Sequence, residues 1–216
     1  MSYEGLPVNL SLEKQDEKEH QNSISHFIRV YDDIIPENIM RSSIEHLHLR
    51  ANYVDSDYLR RHEVSLSNNP HPELLENLKL FLRSVYNKYK TDLGSVSSNL
   101  YQCNHIEYPV VAQYQPENLS GVNKKEHFHD HADCWHYDSS TRVVSVILYL
   151  NDVSEGGETY FSQLGYSVQP KRGRVLVFPS NFMFMHRANP PISNPKYVCI
   201  CWIHFDGNTP YLTIKF

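Results

Sequence analysis

The 216-residue chain lacks several features that would narrow its class at once. No apolar run approaches the ~18 residues a helix needs to span a bilayer, so no membrane association is expected. Only four cysteines are present, Cys103, Cys134, Cys199 and Cys201, and no two are spaced as C-x-x-C. At this length and cysteine density a disulfide framework is not expected, and a reducing, cytoplasmic compartment is. Charge of one sign is also missing. Lysine and arginine number 20 against 25 acidic residues, a net charge of −5 spread without long blocks. A dedicated nucleic-acid binder usually carries a basic stripe, so no nucleic-acid partner is expected. The opening MSYEGLPVNLSLEKQDEKEH has no basic start followed by an apolar stretch and does not read as a secretory signal.

What is abundant is tyrosine, at 15, and histidine, at 13, with several histidines clustered between His127 and His136. Clustered histidine is either a metal signal or a solvated polar loop. Spacing has to decide.

The order of residues suggests a loose polar arm over 1–22, a helical and strand support region over 23–94, and a β-rich core over 95–216. SHFIRVYDDII reads as a strand. PENIMRSSIEHLHLR reads as a helix with Pro36 at its first position and Ile39, Met40, Ile44 and Leu47 on one face. Residues 51–71 are polar and irregular. Pro72 opens a second helix to about Lys90, with Leu74, Leu75, Leu78, Phe81, Leu82, Val85 and Tyr89 at a 3.6-residue period. Gly94 ends the helical part. Beyond it come short β-rich runs: HIEYPVVAQYQ, CWHYD, RVVSVILYLND, GGETYF, YSVQP, GRVLVFP, FMFMHRA and KYVCICWIHF. Proline and glycine punctuate them. Many short strands without intervening helices imply a sandwich or barrel of about eight strands, so the fold is mainly β with N-terminal helices.

The chemistry starts at CWHYD. In a strand, side chains two apart share a face, so His136 and Asp138 point the same way. Two histidines and one carboxylate with open positions beside them form the facial triad of non-haem Fe(II) oxygenases. His186, at the end of FMFMH, is the candidate third ligand, sharing a face with Phe182 and Phe184. The H-x-D spacing occurs twice, because His131-Ala132-Asp133 has it too. That pair lies in the polar KKEHFHDHAD, which shows no apolar alternation. His136-Tyr137-Asp138 directly precedes the strongest strand pattern in the chain and is preferred. Alternatives stay open: His186 as a core histidine, and His127, His129 and His131 as either a second metal site or solvated loop histidines.

WHYD, Arg142, ILYLNDVSEGGETYF, VQPKRGRVLVFP, His186, NPPISNPKY and Trp202 together resemble the prolyl 4-hydroxylase-like family of 2-oxoglutarate- and Fe(II)-dependent dioxygenases. The resemblance covers about residues 110–205. It implies a double-stranded β-helix of jelly-roll or cupin type, with Fe(II), 2-oxoglutarate and O2 as cofactors and ascorbate as reductant. It implies hydroxylation of an aliphatic carbon, foremost a prolyl residue in a peptide or protein, with release of succinate and CO2; other protein side chains and small molecules remain open as substrates. It also implies a basic residue after the distal histidine that pairs with the distal carboxylate of 2-oxoglutarate, here Lys196. Strand parity agrees, since Lys196, Val198, Ile200 and Trp202 share a face that leaves Cys199 and Cys201 on the other side. A lysine on an apolar barrel face needs an anionic partner. Tyr149 and Tyr114 stand where the family places tyrosines facing that cosubstrate. The interval from Tyr114 to His136 is longer than the resemblance leads one to expect, which makes GVNKKEHFHDHADC an expanded loop and a candidate substrate lid. Arg142 suits either a substrate contact or a structural salt bridge, and Trp202 either the pocket or the core. A non-catalytic barrel that binds, or a metal-dependent barrel that does not use 2-oxoglutarate, are the competing functions. The residues do not specify an oligomeric state.

Overall fold

The computed structural model describes residues 24–119, 125–205 and 213–215. The expected arm over 1–22 lies outside the described residues. Two helices occur near the start, α1 (Glu37–Arg50) and α2 (Pro72–Leu93). Before and between them run β1 (Arg29–Tyr31), β2 (Asn52–Asp55) and β3 (Leu59–Ser65). After α2 come β4 (Cys103–Glu107), β5 (Val110–Tyr114), β6 (His127–His131), β7 (Arg142–Tyr149), β8 (Thr159–Phe161) and β9 (Tyr166–Val168). The last four are β10 (Val175–Pro179), β11 (His186–Ala188), β12 (Lys196–Phe205) and β13 (Thr213–Lys215). Every described pairing is antiparallel, and the strands join in the order β1-β10-β7-β12-β5-β3-β6-β11-β8-β9. β2 pairs with β3, and β4 with both β12 and β13. Among the described residues no helix is long and apolar enough to cross a membrane.

Alternation along the strands builds two cores. On β10, Val175 and Val177 join α1 and α2 in one apolar cluster, while Leu176 and Phe178 belong to another inside the curled sheet. On β12, Cys199, Cys201 and Ile203 face the helices and Val198 faces the interior. This is the period-two rule at work. It makes the two thiols core fillers, and burial pushes the Cys199 thiol up to about 12.

α2 keeps its expected period. Leu74, Leu78, Leu82, Val85, Tyr86, Tyr89 and Leu93 are buried, and the His71 side chain accepts from the backbone N–H of Leu74 at its start. Leu75 and Phe81 are only partly buried, and Tyr86 completes the stripe. α1 begins one residue later than expected, with Pro36 as the capping residue.

Four sequence expectations are corrected. Among the described residues ten strands follow Gly94, where about eight were expected, and three more precede it. Residues 51–71 are not irregular: they form the β2–β3 hairpin, and β3 inserts between β5 and β6. CWHYD is not a strand. Ser139 Oγ accepts from the N–H groups of Trp135 and His136, and Ser139 and Ser140 donate back to the carbonyls of His136 and Tyr137. A serine that satisfies nearby backbone groups this way competes successfully with sheet pairing. FMFMHRA is broken similarly: Asn181 accepts from Met183 N and starts a 3-10 turn over Phe182–Phe184, so only His186–Ala188 is strand.

Leu78 is fully buried where α2 meets the outer face of the sheet. Leu78→Ala is expected to cost about 3 kcal/mol through lost burial and a residual cavity. Urea unfolding followed by circular dichroism checks this, and a loss below about 1 kcal/mol would contradict the packing described.

Candidate metal centre

β6 and β11 are neighbours, and their register sets His131 directly opposite His186. The two imidazole rings lie 4.4 Å apart. Asp133 follows two residues after His131 and is buried. Its Oδ1 is 3.5 Å from His131 Nε2 and its Oδ2 3.8 Å from His186 Nε2. One ligand atom from each of the three lies within 4.8 Å of the others.

Both rings are held so that Nε2 faces the carboxylate. His131 Nδ1 donates to the His129 carbonyl at 2.7 Å, and His186 Nδ1 donates to the Phe184 carbonyl at 3.0 Å. A carbonyl can only accept, so each Nδ1 carries the proton and each Nε2 presents a lone pair. Phe178 packs edge-on against His186 at 4.7 Å, and Phe128 stacks on His131 at 3.6 Å. Asp133 is held as firmly. Ser145 Oγ donates to its Oδ2 at 2.5 Å and shares a 2.8 Å hydrogen bond with Ser180 Oγ. Arg142 donates to the Asp133 backbone carbonyl at 3.2 Å while its other nitrogens grip Glu107 in a fork, both at 2.8 Å. Its guanidinium plane lies 3.8 Å over the Trp202 ring.

The electrostatics suit a cation. Burial works to raise the Asp133 carboxyl, but His186, His131 and Ser145 outweigh it and hold the group well below the usual carboxylate range. Burial, helped by His131, pushes His186 down to about 4 despite the pull of Asp133. Near neutral pH the arrangement therefore offers a neutral imidazole at His186 and one carboxylate. Two imidazoles and a carboxylate on one side of a point, with no thiolate, is the donor set of a non-haem Fe(II) site with open positions.

The expected pair His136 and Asp138 is not part of this group. Trp135, His136, Tyr137 and Asp138 are all exposed in the Ser139-centred turn, although His136 does line the outer cleft described below. The geometry brings His186 together with the other H-x-D pair. Its signal was present in the sequence as the long interval after Tyr114, which choosing His131 shortens by five residues. What concealed it was the polarity of HFHDH.

Two cavities meet here. The inner one is narrow and is lined by Lys196, Tyr114, Arg61, Ile147, Thr159 and Val198 as well as by the three-residue group. Lys196 is 2% exposed, and Ile200 and Trp202 line the same wall, as strand parity requires. Among the described residues no hydrogen bond or salt bridge is recorded at its ammonium, whose near neighbours are the rings of Tyr114 at 5.2 Å and Tyr149 at 5.8 Å. Burial pushes this lysine down to about 7, with Glu158 pulling it up and Arg61 pushing it further down. Tyr114 faces the cavity and its hydroxyl accepts from Arg61 at 2.7 Å. Tyr149 stands behind the wall and donates to Thr159 Oγ1 at 2.7 Å. Arg61, buried and paired with Glu63 at 2.7 Å, escaped the sequence reading because β3 looked irregular. The outer cleft, about 530 Å³, shares His131, Asp133, Arg61 and Trp202 with the inner cavity and adds the exposed Tyr58 and Trp135.

Residues 112–204 match the family model of the 2OG-Fe(II) oxygenase superfamily. Over this segment, a little under half of its length, the chain is similar to that superfamily. The curated relatives it is similar to include prolyl 4-hydroxylases. It is 32% identical over 108 residues to prolyl 4-hydroxylase subunit alpha-1 of Gallus gallus, a match covering 46% of this chain and 20% of that protein. It is 35% identical over 107 residues to probable prolyl 4-hydroxylase 11 of Arabidopsis thaliana, covering 45% and 35%. The chain thus spans about a fifth to a third of the length of these relatives. Its fold resembles that of the viral collagen prolyl hydroxylase from Paramecium Bursaria Chlorella virus-1, with a TM-score of 0.62 at 18% identity, covering 83% of this chain and 96% of that one. The curled antiparallel sheet matches that fold, the double-stranded β-helix that the sequence resemblance implied.

Losing a group that only orients a metal ligand costs roughly 10–100-fold in affinity. Asp133→Asn is expected to weaken Fe(II) or Co(II) binding by more than that range, Ser145→Ala to stay within it, and Asp138→Asn to change nothing. Anaerobic metal titration separates the three, and equal losses at Asp133 and Asp138 would refute the ligand set.

Proposed function

We propose that this chain is an Fe(II)- and 2-oxoglutarate-dependent dioxygenase that hydroxylates an aliphatic carbon, foremost a prolyl residue in a peptide or protein, releasing succinate and CO2. The observation that carries the reading is a pre-oriented His131, Asp133 and His186 group beside a buried ammonium that makes no hydrogen bond or salt bridge among the described residues. In this reading His131 Nε2, an Asp133 oxygen and His186 Nε2 hold the iron. When bound, iron and 2-oxoglutarate supply the activation of O2, with ascorbate as the reductant that keeps the metal ferrous.

The protein's own part is binding, orientation and exclusion of water. Lys196 grips the distal carboxylate of 2-oxoglutarate, which gives its ammonium the anionic partner that a charge buried at 2% exposure needs. Ile147, Val198 and Ile200 wall the inner cavity and keep water from the cosubstrate chain. Ser145 and Arg142 keep Asp133 in place while a substrate enters from the outer cleft. Tyr58 and Trp135, both about two-thirds exposed, offer flat apolar faces to a peptide at that entrance. A peptide substrate is favoured because the matched relatives are prolyl 4-hydroxylases. A barrel that only binds would not require three intact donors with both Nδ1 atoms pinned, so catalysis is preferred to that alternative.

Three measurements test the reading. Incubation of the chain with Fe(II), 2-oxoglutarate, ascorbate and proline-containing peptides is expected to yield one added oxygen by mass spectrometry, and His131→Ala to abolish it. Persistence of product in that variant would refute the metal assignment. Lys196→Ala leaves a carboxylate unpaired in a buried site, a loss of about 3 kcal/mol, or roughly 100-fold in 2-oxoglutarate affinity. Unchanged affinity would favour a barrel that does not use this cosubstrate. The pH dependence follows from Lys196, which titrates near 7 in the empty cavity. Below that pH the ammonium is already charged and affinity is flat. Above it the amine must take up a proton on binding, so the Kd is expected to rise with pH, and a Kd that stays flat through pH 9 would contradict this.

A further inference from the structure

The iron group uses one histidine of HFHDH and leaves two others on β6, His127 and His129. Residues two apart on a strand share a face, and here the sharing is close. The Nε2 atoms lie 3.1 Å apart and the ring centroids 4.3 Å apart. The backbone sets the tautomer of the first ring, because His127 Nδ1 donates to the Lys125 carbonyl at 2.9 Å. His127 Nε2 therefore presents a lone pair towards His129 Nε2. Two nitrogen lone pairs at that distance repel unless a proton or a cation lies between them. Zinc–imidazole bonds are about 2.0–2.1 Å long, so two imidazoles on adjacent positions of a tetrahedral or octahedral ion stand about 2.9–3.4 Å apart. The observed separation falls inside that interval.

The charges nearby are mixed. Arg60, directly across from His127 on β3, disfavours positive charge there, but its guanidinium is itself paired with Asp55 at 2.7 Å. Asp130, the residue after His129, is committed elsewhere, accepting from Ser162 and from Arg187. His129 is exposed and lines the outer cleft, and His127 is half-buried, so water can complete the coordination shell. The main chain of His129 is fixed by donation to the Tyr58 carbonyl at 2.9 Å, and its own carbonyl holds His131.

We propose that His127 and His129 form a second metal site, a two-imidazole chelate for a divalent transition ion such as Zn(II), at the rim of the outer cleft and separate from the iron group. The ligand class follows from the donors: imidazole suits Zn, Ni and Cu, whereas Mg and Ca require oxygen.

Zn(II) is the probe, because it carries no redox chemistry of its own. Equilibrium dialysis of the untagged full chain against micromolar Zn(II), with metal analysis, is expected to give two ions per wild-type chain. His127→Gln is expected to give one, and the double variant Asp133→Asn/His186→Ala also one, since each removes a different site. Equal zinc content in wild type and His127→Gln would overturn the proposal and mean that a shared proton joins the two rings. Should His127→Gln lose its far-UV circular dichroism, His129→Gln takes its place, with the same expectation and the same refuting result. Should the double variant Asp133→Asn/His186→Ala keep two ions while His127→Gln keeps one, the iron-group assignment fails and the second site stands.

Discussion

The pairing of β6 with β11 is the constraint from which the site follows. It puts His131 across from His186, and each imidazole is then oriented by a carbonyl two residues earlier in its own strand or the turn before it. Because side chains alternate, a one-residue slip in either strand would turn one histidine to the opposite face and dissolve the group. Neighbours guard the register. β3 closes the other edge of β6, and β8 closes the other edge of β11. Asp133 lies just past the end of β6, where Cys134 N–H donates to the Ser180 carbonyl and Arg142 holds the Asp133 carbonyl.

Around that group the protein spends charge sparingly and pairs most of it. Arg142, Glu107 and His204 form one connected network between β7, β4 and β12. Arg61 is matched by Glu63 and by the Tyr114 hydroxyl. Lys196 is the contrast: a buried cation whose recorded neighbours are aromatic faces. Desolvation penalises its charged form and makes that form responsive to an arriving carboxylate. The apolar part of the cavity lining is thus also what tunes the lysine, and one strand, β12, supplies both through Lys196, Val198 and Ile200.

Much of this was legible in order of residues. The 3.6-residue stripe of α2, the run of β7, the two-faced pattern of β12 and the blocks shared with the oxygenase family needed no coordinates, because each is a local pattern with a long or strongly apolar signature. The less legible elements have one thing in common. β3 and β6, LRRHEVS and HFHDH, are strands made of charged and polar residues whose partners lie on other strands. Arg61 is satisfied by Tyr114, fifty-three positions away, and His131 meets His186 only across a sheet. CWHYD failed in the opposite sense: it had the composition of a strand, but a single serine hydroxyl turned it into a loop.

The sequence by itself carried the resemblance to the oxygenase family, the residue types that could hold a metal, His186 as a candidate and the face of β12 that carries Lys196, since composition, motif order and strand parity are local properties. Which of the two H-x-D pairs completes the group was decided by tertiary structure alone. Register between strands depends on which backbone groups find each other in the folded sheet. A short polar strand holds no apolar pattern that announces its partners in advance.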